Sequence, residues 1–400
     1  MTTERGSECR EAGGADPSGH RRVRVLHLVG STQDDGGILT VLRHARDPEG
    51  VFTHSVVVHR GFEMKRQPPL DLRESRWLLA ESPRHLSLFA RALGVVIETR
   101  RRCRDEGWGI LHAHSRGGFA AAVLMSLVPA SVPLVFTNHA FARRTAMYRW
   151  AAGRRRLSTV VLNPAMAAHY GLTPEPGRVE IIPDCCSDSF FEGPLVTPSG
   201  PRSRLALVGV GNLVRWKKWN LVLDALGRLP VPLRQRVHFT LWGPTPSDPD
   251  SQAFARELKG MVGALGLAPY VRLAGPTTRV REAVEGADVF VIPSTNEPCS
   301  VALTEALALG KPSIASASGG SVDLLENGYN GRLFRPDDPE DLARQIAGMI
   351  ASDGATATPE QIRDSARHYS ASVAWGKYHA LYRRLLAGGR TGVLSEKFAA

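Results

Sequence analysis

A chain of 400 residues, 43% of them hydrophobic, is long enough for two domains with cores of their own and has the proportions of an ordinary globular protein. A formal net charge of +11 favours anionic partners, whether phosphorylated ligands, acidic lipid or nucleic acid, without choosing among them. Five cysteines, an odd number without C-x-x-C spacing, point to a reducing compartment and away from a metal cluster.

Residues 1–20 are polar and Gly-rich, carry Glu4, Glu8 and Glu11, and have no apolar h-region, so they read as a disordered tail. Val23 to Val29 is a predicted strand, and the stretch from Ile38 to His44 is helical. Between them Gly36 and Gly37 would let backbone approach a ligand at the helix start, although many strand-to-helix turns carry glycine for geometry alone. Ser55 to His59 and Gly109 to His114 are further strands, with a helical region from Leu86 to Cys103. The uncharged stretch Gly117 to Phe136, interrupted by Pro129 and Pro133, reads as a buried helix and the start of a strand, not as a membrane span.

Two strands end in histidine, at His112-Ala113-His114-Ser115 and in Leu134 to Phe141, where His139 lies. No carboxylate or cysteine with ligand spacing joins these three histidines, so a metal reading is set aside, and strand-end packing is expected for His112 and His114. Phe141 to Leu157 carries Arg143, Arg144, Arg149, Arg154, Arg155 and Arg156 interleaved with Tyr148 and Trp150. Such a segment suits an anionic membrane interface or a nucleic-acid backbone; the plain alternative is a solvated face.

Val160 to Leu162, a helix from Pro164, and Val179 to Ile182 complete a first α/β domain over 21–192, and the Pro, Gly and Ser content of 193–204 marks a linker. A second domain spans 205–365, opening with the strand Leu205 to Val210 and the loop Gly211 to Asn220. Gly209-Val210-Gly211 lacks the third glycine of a dinucleotide fingerprint. His238 to Trp242 is a strand, and Asp248-Pro249-Asp250, among further prolines, reads as a turn rather than a metal site. Val271 to Leu273, the helix Arg279 to Glu285, the strand Gly331 to Phe334 and the helix Pro339 to Met349 follow. A helical pattern from Ala366 to Leu386 falls in a segment 366–388 expected to pack back on the first domain, and 389–400 is a tail.

The most informative stretch is Val289 to Gly320. Val289 to Ile292 is a buried parallel strand ended by Pro293; Ser300 is a plausible N-cap for a helix Val301 to Leu309, stopped by Gly310; Ser313 to Ser316 is a second strand running to Gly319-Gly320. Such a unit gathers loops and helix N-termini at the carboxyl end of a sheet, where ligands bind. Glu297 and Glu305 could each accept hydrogen bonds from vicinal hydroxyls of a different sugar ring, with amides at the helix start and around Gly319-Gly320 taking a diphosphate between them. Equally, Glu297 could be a solvated loop acid and Glu305 a surface helix position.

Glu297 and Glu305, followed by EALALGKPSIAS and the glycine pair, resemble the donor-site signature of retaining glycosyltransferases of the GT-B fold, family 4. The resemblance implies two doubly wound Rossmann-like domains facing each other across a cleft, an acceptor-binding N-terminal one and a donor-binding C-terminal one. It places the donor sugar at Glu297 and the nucleotide ribose at Glu305, with Pro298, Cys299, Ser300 and Val301 between. Thr137-x-His139 matches a cleft histidine near the sugar, and Gly36-Gly37 the glycines near the transferred group. Lys217 matches one of two cations that hold the donor diphosphate; the other, an arginine in the family, is Asn212 here, with Arg215 three residues on. His139, Lys217 and Glu297 are thereby the expected catalytic residues.

By the same resemblance the co-substrate is a nucleotide-diphosphate sugar, the acceptor a glycan or lipid-linked molecule, and no cofactor or metal is expected. Transfer proceeds with retention and without a covalent enzyme intermediate, in cell-surface polysaccharide or glycolipid biosynthesis. A cytoplasmic protein at the inner face of the membrane follows, membrane contact ranking ahead of nucleic acid. The rivals are a sugar-nucleotide 2-epimerase of the same fold and a non-catalytic binder of anionic ligands.

Overall fold

The computed structural model describes residues 22–34, 36–66, 69–79, 85–128, 132–196, 204–351 and 355–388. The expected tails at 1–20 and 389–400, and most of the expected linker, lie outside these residues.

Thirteen strands among the described residues form two sheets. The first contains β1 (Val23–Leu28), β2 (Phe52–His59), β3 (Leu72–Ser75), β4 (Ile110–Ala113), β5 (Leu134–Asn138), β6 (Leu157–Val161) and β7 (Val179–Ile181), in the order β3-β2-β1-β4-β5-β6-β7. The second contains β8 (Leu205–Val210), β9 (Val237–Trp242), β10 (Val271–Gly275), β11 (Val289–Ile292), β12 (Ser313–Ser316) and β13 (Gly331–Phe334), in the order β10-β9-β8-β11-β12-β13. Neighbours run parallel, as in β1 with β4 and β8 with β11. Every residue of β4, β5, β6, β11 and β12 is buried, as continuous apolar runs covered on both faces should be. Each sheet reverses its strand order once, at β1/β4 and at β8/β11, which is the doubly wound pattern.

By internal packing the chain divides into one unit within Met1–Asp34, Ala45–Phe136 and His379–Ala400 and a second within Asp35–His44 and Thr137–Tyr378. The second unit has a continuous core in which Trp219, Phe239, Phe254, Phe290 and Phe334 are fully buried.

Two elements depart from the sequence reading. Asp248-Pro249-Asp250 is no turn but the start of the helix Pro249–Ala264: the Asp248 carboxylate accepts the Ser251 N–H at 2.9 Å, and Pro249 occupies the first position, where its missing N–H costs nothing. Strand β3, Leu-Arg-Glu-Ser, went unread because an edge strand with three of its four residues polar has no apolar run to betray it. Among the described residues no helix is long and apolar enough to cross a membrane.

Candidate functional site

Strand order decides which loops meet. With β11 hydrogen-bonded to β8, the loop that leaves β8 and the loop that leaves β11 emerge side by side at the carboxyl end of the second sheet. The first ends in a single 3-10 turn, Arg215–Lys217, after which Lys218 adopts a left-handed conformation (φ 54°) and the helix Trp219–Arg228 begins. Trp219 anchors that loop from below: it is fully buried, and its indole N–H donates to the Asn212 carbonyl at 3.0 Å. Pinned this way, Lys217 reaches across and donates from Nζ to Glu297 Oε1 at 2.5 Å. The ammonium also lies 4.5 Å from the centre of the exposed Trp216 ring.

Glu297 is 8% exposed, and its second oxygen, Oε2, is buried with no hydrogen-bond partner. A carboxylate is rarely left so, because an unmet acceptor away from water costs free energy. Glu297 is therefore not a solvated loop acid.

The loop that carries it is held on three sides. Gly320 N–H donates to the Glu297 carbonyl at 2.8 Å, Ser318 Oγ accepts from Asn296 N–H at 3.1 Å, and the Pro298 carbonyl accepts from the Asn163 side-chain amide. A Cβ on Gly320 would lie 2.1 Å from the Pro298 oxygen, and one on Gly319, which has φ +59°, 2.4 Å from the Glu297 oxygen. The glycine pair is there to let two backbones touch, and the Gly320 amide expected at a phosphate is spent inside the protein.

Behind this loop Ser300 caps the helix Val301–Ala308, accepting from Leu303 N–H at 3.3 Å, while Thr304 Oγ1 donates to the Ser300 carbonyl at 3.0 Å. The first-turn amides have no intrahelical acceptors and carry the positive end of the helix dipole. Gly37 opens the helix Gly37–Leu42 beside that terminus: a Cβ there would lie 3.9 Å from Val301 Cγ2. Gly36, at φ +84°, occupies a conformation that suits glycine. Glu305 is half-buried one turn into the 301–308 helix, and its charge adds to burial in pushing the Cys186 thiol up.

His139 Nδ1 lies 3.3 Å from Asp184 Oδ1, both side chains largely buried, and the Asp184 carbonyl accepts from Cys299 Sγ at 3.6 Å. Burial, then the Asp184 charge, raises the Cys299 thiol well above its usual value. Asp184 thus ties His139 to the 297–300 loop. Neither it nor Asn163, which also caps the helix Pro164–Tyr170 through Met166 N–H at 2.8 Å, stands out in the sequence. An Asn before Pro signals a helix start, but nothing local says which loop it clasps.

The remaining expected residues fall elsewhere. Arg215 pairs with Glu257 at 2.8 Å and lies over the Phe254 ring, so it does not join the Lys217–Glu297 pair, and the Asn212 carbonyl accepts from the Trp219 indole. Of the six arginines near 150, Arg143, Arg144, Arg155 and Arg156 are exposed on loops flanking the helix Ala146–Ala152; Arg149 donates to the Tyr170 carbonyl, and Arg154 lies over the exposed Trp150 ring. His112 and His114 gather not with His139 but with His27.

Residues 201–369, which include Lys217, Glu297 and Glu305, match the family model for glycosyl transferases group 1. This stretch is similar to group 1 glycosyl transferase domains. The two doubly wound sheets with their helices have the GT-B fold. Sucrose-phosphate synthase from Thermosynechococcus elongatus superposes with a TM-score of 0.74 at 17% identity, covering 92% of this chain and all of that one. HepE of Anabaena, in complex with UDP-glucose, superposes with a TM-score of 0.70 at 18% identity, covering 91% of this chain and all of that one.

In sequence, the chain is 30% identical over 220 residues to a D-inositol 3-phosphate glycosyltransferase of Geodermatophilus obscurus, covering 52% of this chain and 46% of that protein. It is 27% identical over 302 residues to the lipopolysaccharide core biosynthesis mannosyltransferase LpcC of Rhizobium leguminosarum, covering 73% and 81%. The alignments with the inositol phosphate glycosyltransferases of Geodermatophilus obscurus, Nocardiopsis dassonvillei and Catenulispora acidiphila span about half the length of those proteins.

Proposed function

We propose that the protein is a retaining glycosyltransferase of family 4 that moves a sugar from a nucleotide-diphosphate sugar to a glycan or lipid-linked acceptor. The observation that carries this is the Lys217–Glu297 pair beside the N-terminus of the 301–308 helix, with Glu297 Oε2 buried and unmet. An ammonium has three N–H donors, so Lys217 can hold Glu297 and a diphosphate oxygen together. Lys217 and the helix terminus stabilise the negative charge that builds on the leaving diphosphate, and with that charge supplied the reading calls for no metal ion or cofactor. Glu297 Oε2 accepts a sugar hydroxyl, and Glu305 accepts from the ribose. His139 presents Nδ1–H to Asp184, which leaves Nε2 as an acceptor near the sugar. No residue is assigned as a nucleophile, and departure and attack occur on the same face of the sugar.

The UDP-glucose bound by HepE and the names of the inositol phosphate and lipopolysaccharide relatives support a nucleotide-sugar donor and a role in glycolipid or surface polysaccharide synthesis. The exposed arginines near Trp150 support peripheral contact with anionic lipid at the cytoplasmic face of the membrane. Incubating the protein with a panel of nucleotide sugars, with and without glycolipid acceptors, tests the assignment. Acceptor-dependent release of nucleoside diphosphate is expected. Interconversion of the donor without acceptor would make it an epimerase, and neither turnover nor a donor-induced rise in melting temperature would leave only a binder of anions.

A further inference from the structure

The first unit holds five histidines in one network. His27 on β1 and His112 on β4 are register partners across the two strands, and His114 follows two residues later at the carboxyl end of β4. His27 and His112 are fully buried and His114 nearly so. Among the described residues these three form the group whose ligand nitrogens all lie within 4.8 Å of one another. They stand where the strand order of the first sheet reverses, the place at which open α/β sheets take ligands.

Their outer partners orient them as ligating imidazoles are oriented. His27 Nε2 lies 2.9 Å from His54 Nδ1, His54 Nε2 lies 3.2 Å from His379 Nε2, and His379 Nδ1 lies 3.7 Å from Asp47 Oδ1. The Asp47 carboxylate, at an ion-pair distance and not a hydrogen-bond one, favours one direction for this chain. His379 turns Nδ1–H toward Asp47 and accepts at Nε2 from His54 Nε2–H; His54 then accepts at Nδ1 from His27 Nε2–H. The tautomer so imposed on His27 aims its Nδ1 lone pair inward, at His114 Nε2 2.9 Å away. His112 is held in the same manner, its Nδ1 lying 2.7 Å from the Tyr382 hydroxyl, which turns Nε2 toward the other two.

We infer that His27, His112 and His114 form a transition-metal site, taking a borderline cation such as Zn²⁺ through His27 Nδ1, His112 Nε2 and His114 Nε2, with water in the fourth position. Metal–nitrogen bonds of about 2.0–2.1 Å put tetrahedral ligand atoms ~3.3 Å apart, so nitrogens that lie within 4.8 Å of one another draw together on a cation, with the His112 and His114 rings, 4.0 Å apart at their centres, turning away from each other. Three neutral imidazoles without an oxygen ligand select Zn²⁺, Co²⁺, Ni²⁺ or Cu²⁺ over Mg²⁺ or Ca²⁺. On binding, the cation takes the place of the proton between His114 and His27, which moves to His114 Nδ1; His112 must donate Nδ1–H to the Tyr382 oxygen so that Nε2 carries its lone pair, and no proton then leaves the site. The centre joins the two strands at the reversal point and takes no part in sugar transfer.

The test uses the full chain, freed of any affinity tag and treated with chelator. Co²⁺ should produce a four-coordinate ligand-field absorption that saturates at one equivalent, Zn²⁺ should displace it, and 0.1 mM Zn²⁺ should raise the melting temperature. X-ray absorption of the Zn²⁺ form should count three imidazoles. His112→Gln should weaken Co²⁺ binding at least tenfold, and Tyr382→Phe roughly tenfold through the outer partner, with His238→Gln unchanged. No absorption with tenfold excess Co²⁺, or two or fewer imidazoles in the wild-type Zn²⁺ spectrum, overturns the site whether or not the variants fold.

Discussion

Lys217 Nζ and Glu297 Oε1, 80 residues apart in the chain, meet at 2.5 Å with their side chains 12% and 10% exposed. Lys217→Met leaves the carboxylate buried without its cation, which should destabilise the fold by about 3 kcal/mol, and Lys217→Met/Glu297→Gln should recover at least half of that. Urea unfolding of the two single variants and the double variant measures the coupling. Purely additive losses would mean the pair is not an energetic unit. Because Lys217 is assigned to the leaving diphosphate, turnover in either Lys217 variant should fall about 10²- to 10³-fold.

Glu305→Ala should abolish transfer while circular dichroism and melting temperature stay near wild type, since a half-buried position on the 301–308 helix accepts alanine without loss of helix propensity. Donor turnover and folding are measured on the same sample. Near-normal turnover in a folded variant removes Glu305 from the ribose.

Two glycines should respond in opposite directions. Gly320→Ala drives a Cβ to 2.1 Å from the Pro298 carbonyl and 2.9 Å from the Asn163 amide, displacing the Glu297 loop; a loss of ~3 kcal/mol is expected. Gly376, in the exposed face of the helix Ala371–Gly388, has nothing within 4 Å of the point where a methyl group would stand, so Gly376→Ala should stabilise by ~0.5–1 kcal/mol. Thermal unfolding of both variants checks the pair.

Burial, and behind it the Glu106 charge, pushes the Cys103 thiol up to about 11. The thiolate is the reactive form, so at pH 8 only about one thiol in a thousand is reactive, and labelling of the folded protein should rise roughly tenfold for each pH unit up to 10. Iodoacetamide labelling followed by peptide mass spectrometry reads Cys103 separately from the other cysteines. A rate at pH 8 equal to that of the unfolded chain would contradict the burial.

Vesicles containing anionic lipid should sediment the protein at low salt and release it as salt rises. Replacing exposed Arg143, Arg144, Arg155 and Arg156 by serine should cost about 1 kcal/mol for each arginine that contacts the surface. Failure of the wild-type protein to sediment removes the membrane contact.

Much of the second sheet was legible from local pattern. Val289–Ile292 and Ser313–Ser316 are short apolar runs between turn residues, and Ser300 and Gly310 bracket the helix between them. The 249–264 helix was misread because its prolines suggest a loop until Pro249 is seen to follow an Asp cap. The trio of histidines drawn from spacing contained His139; packing replaced it with His27, whose strand neighbour lies 85 residues downstream.

Taken alone, the order of residues determined that this protein would build parallel sheets with helices between their strands, and it located the acids and cations worth watching, because strand, cap and turn preferences act over a few neighbouring residues. Only the tertiary structure decided which of them meet. The pairing of β8 with β11 brings Lys217 to Glu297, and the packing of backbone on backbone explains Gly319 and Gly320 and recruits Asn163 and Asp184. Those partners are fixed by crossovers and by contacts between distant segments, which leave no periodic trace in the stretch that carries them.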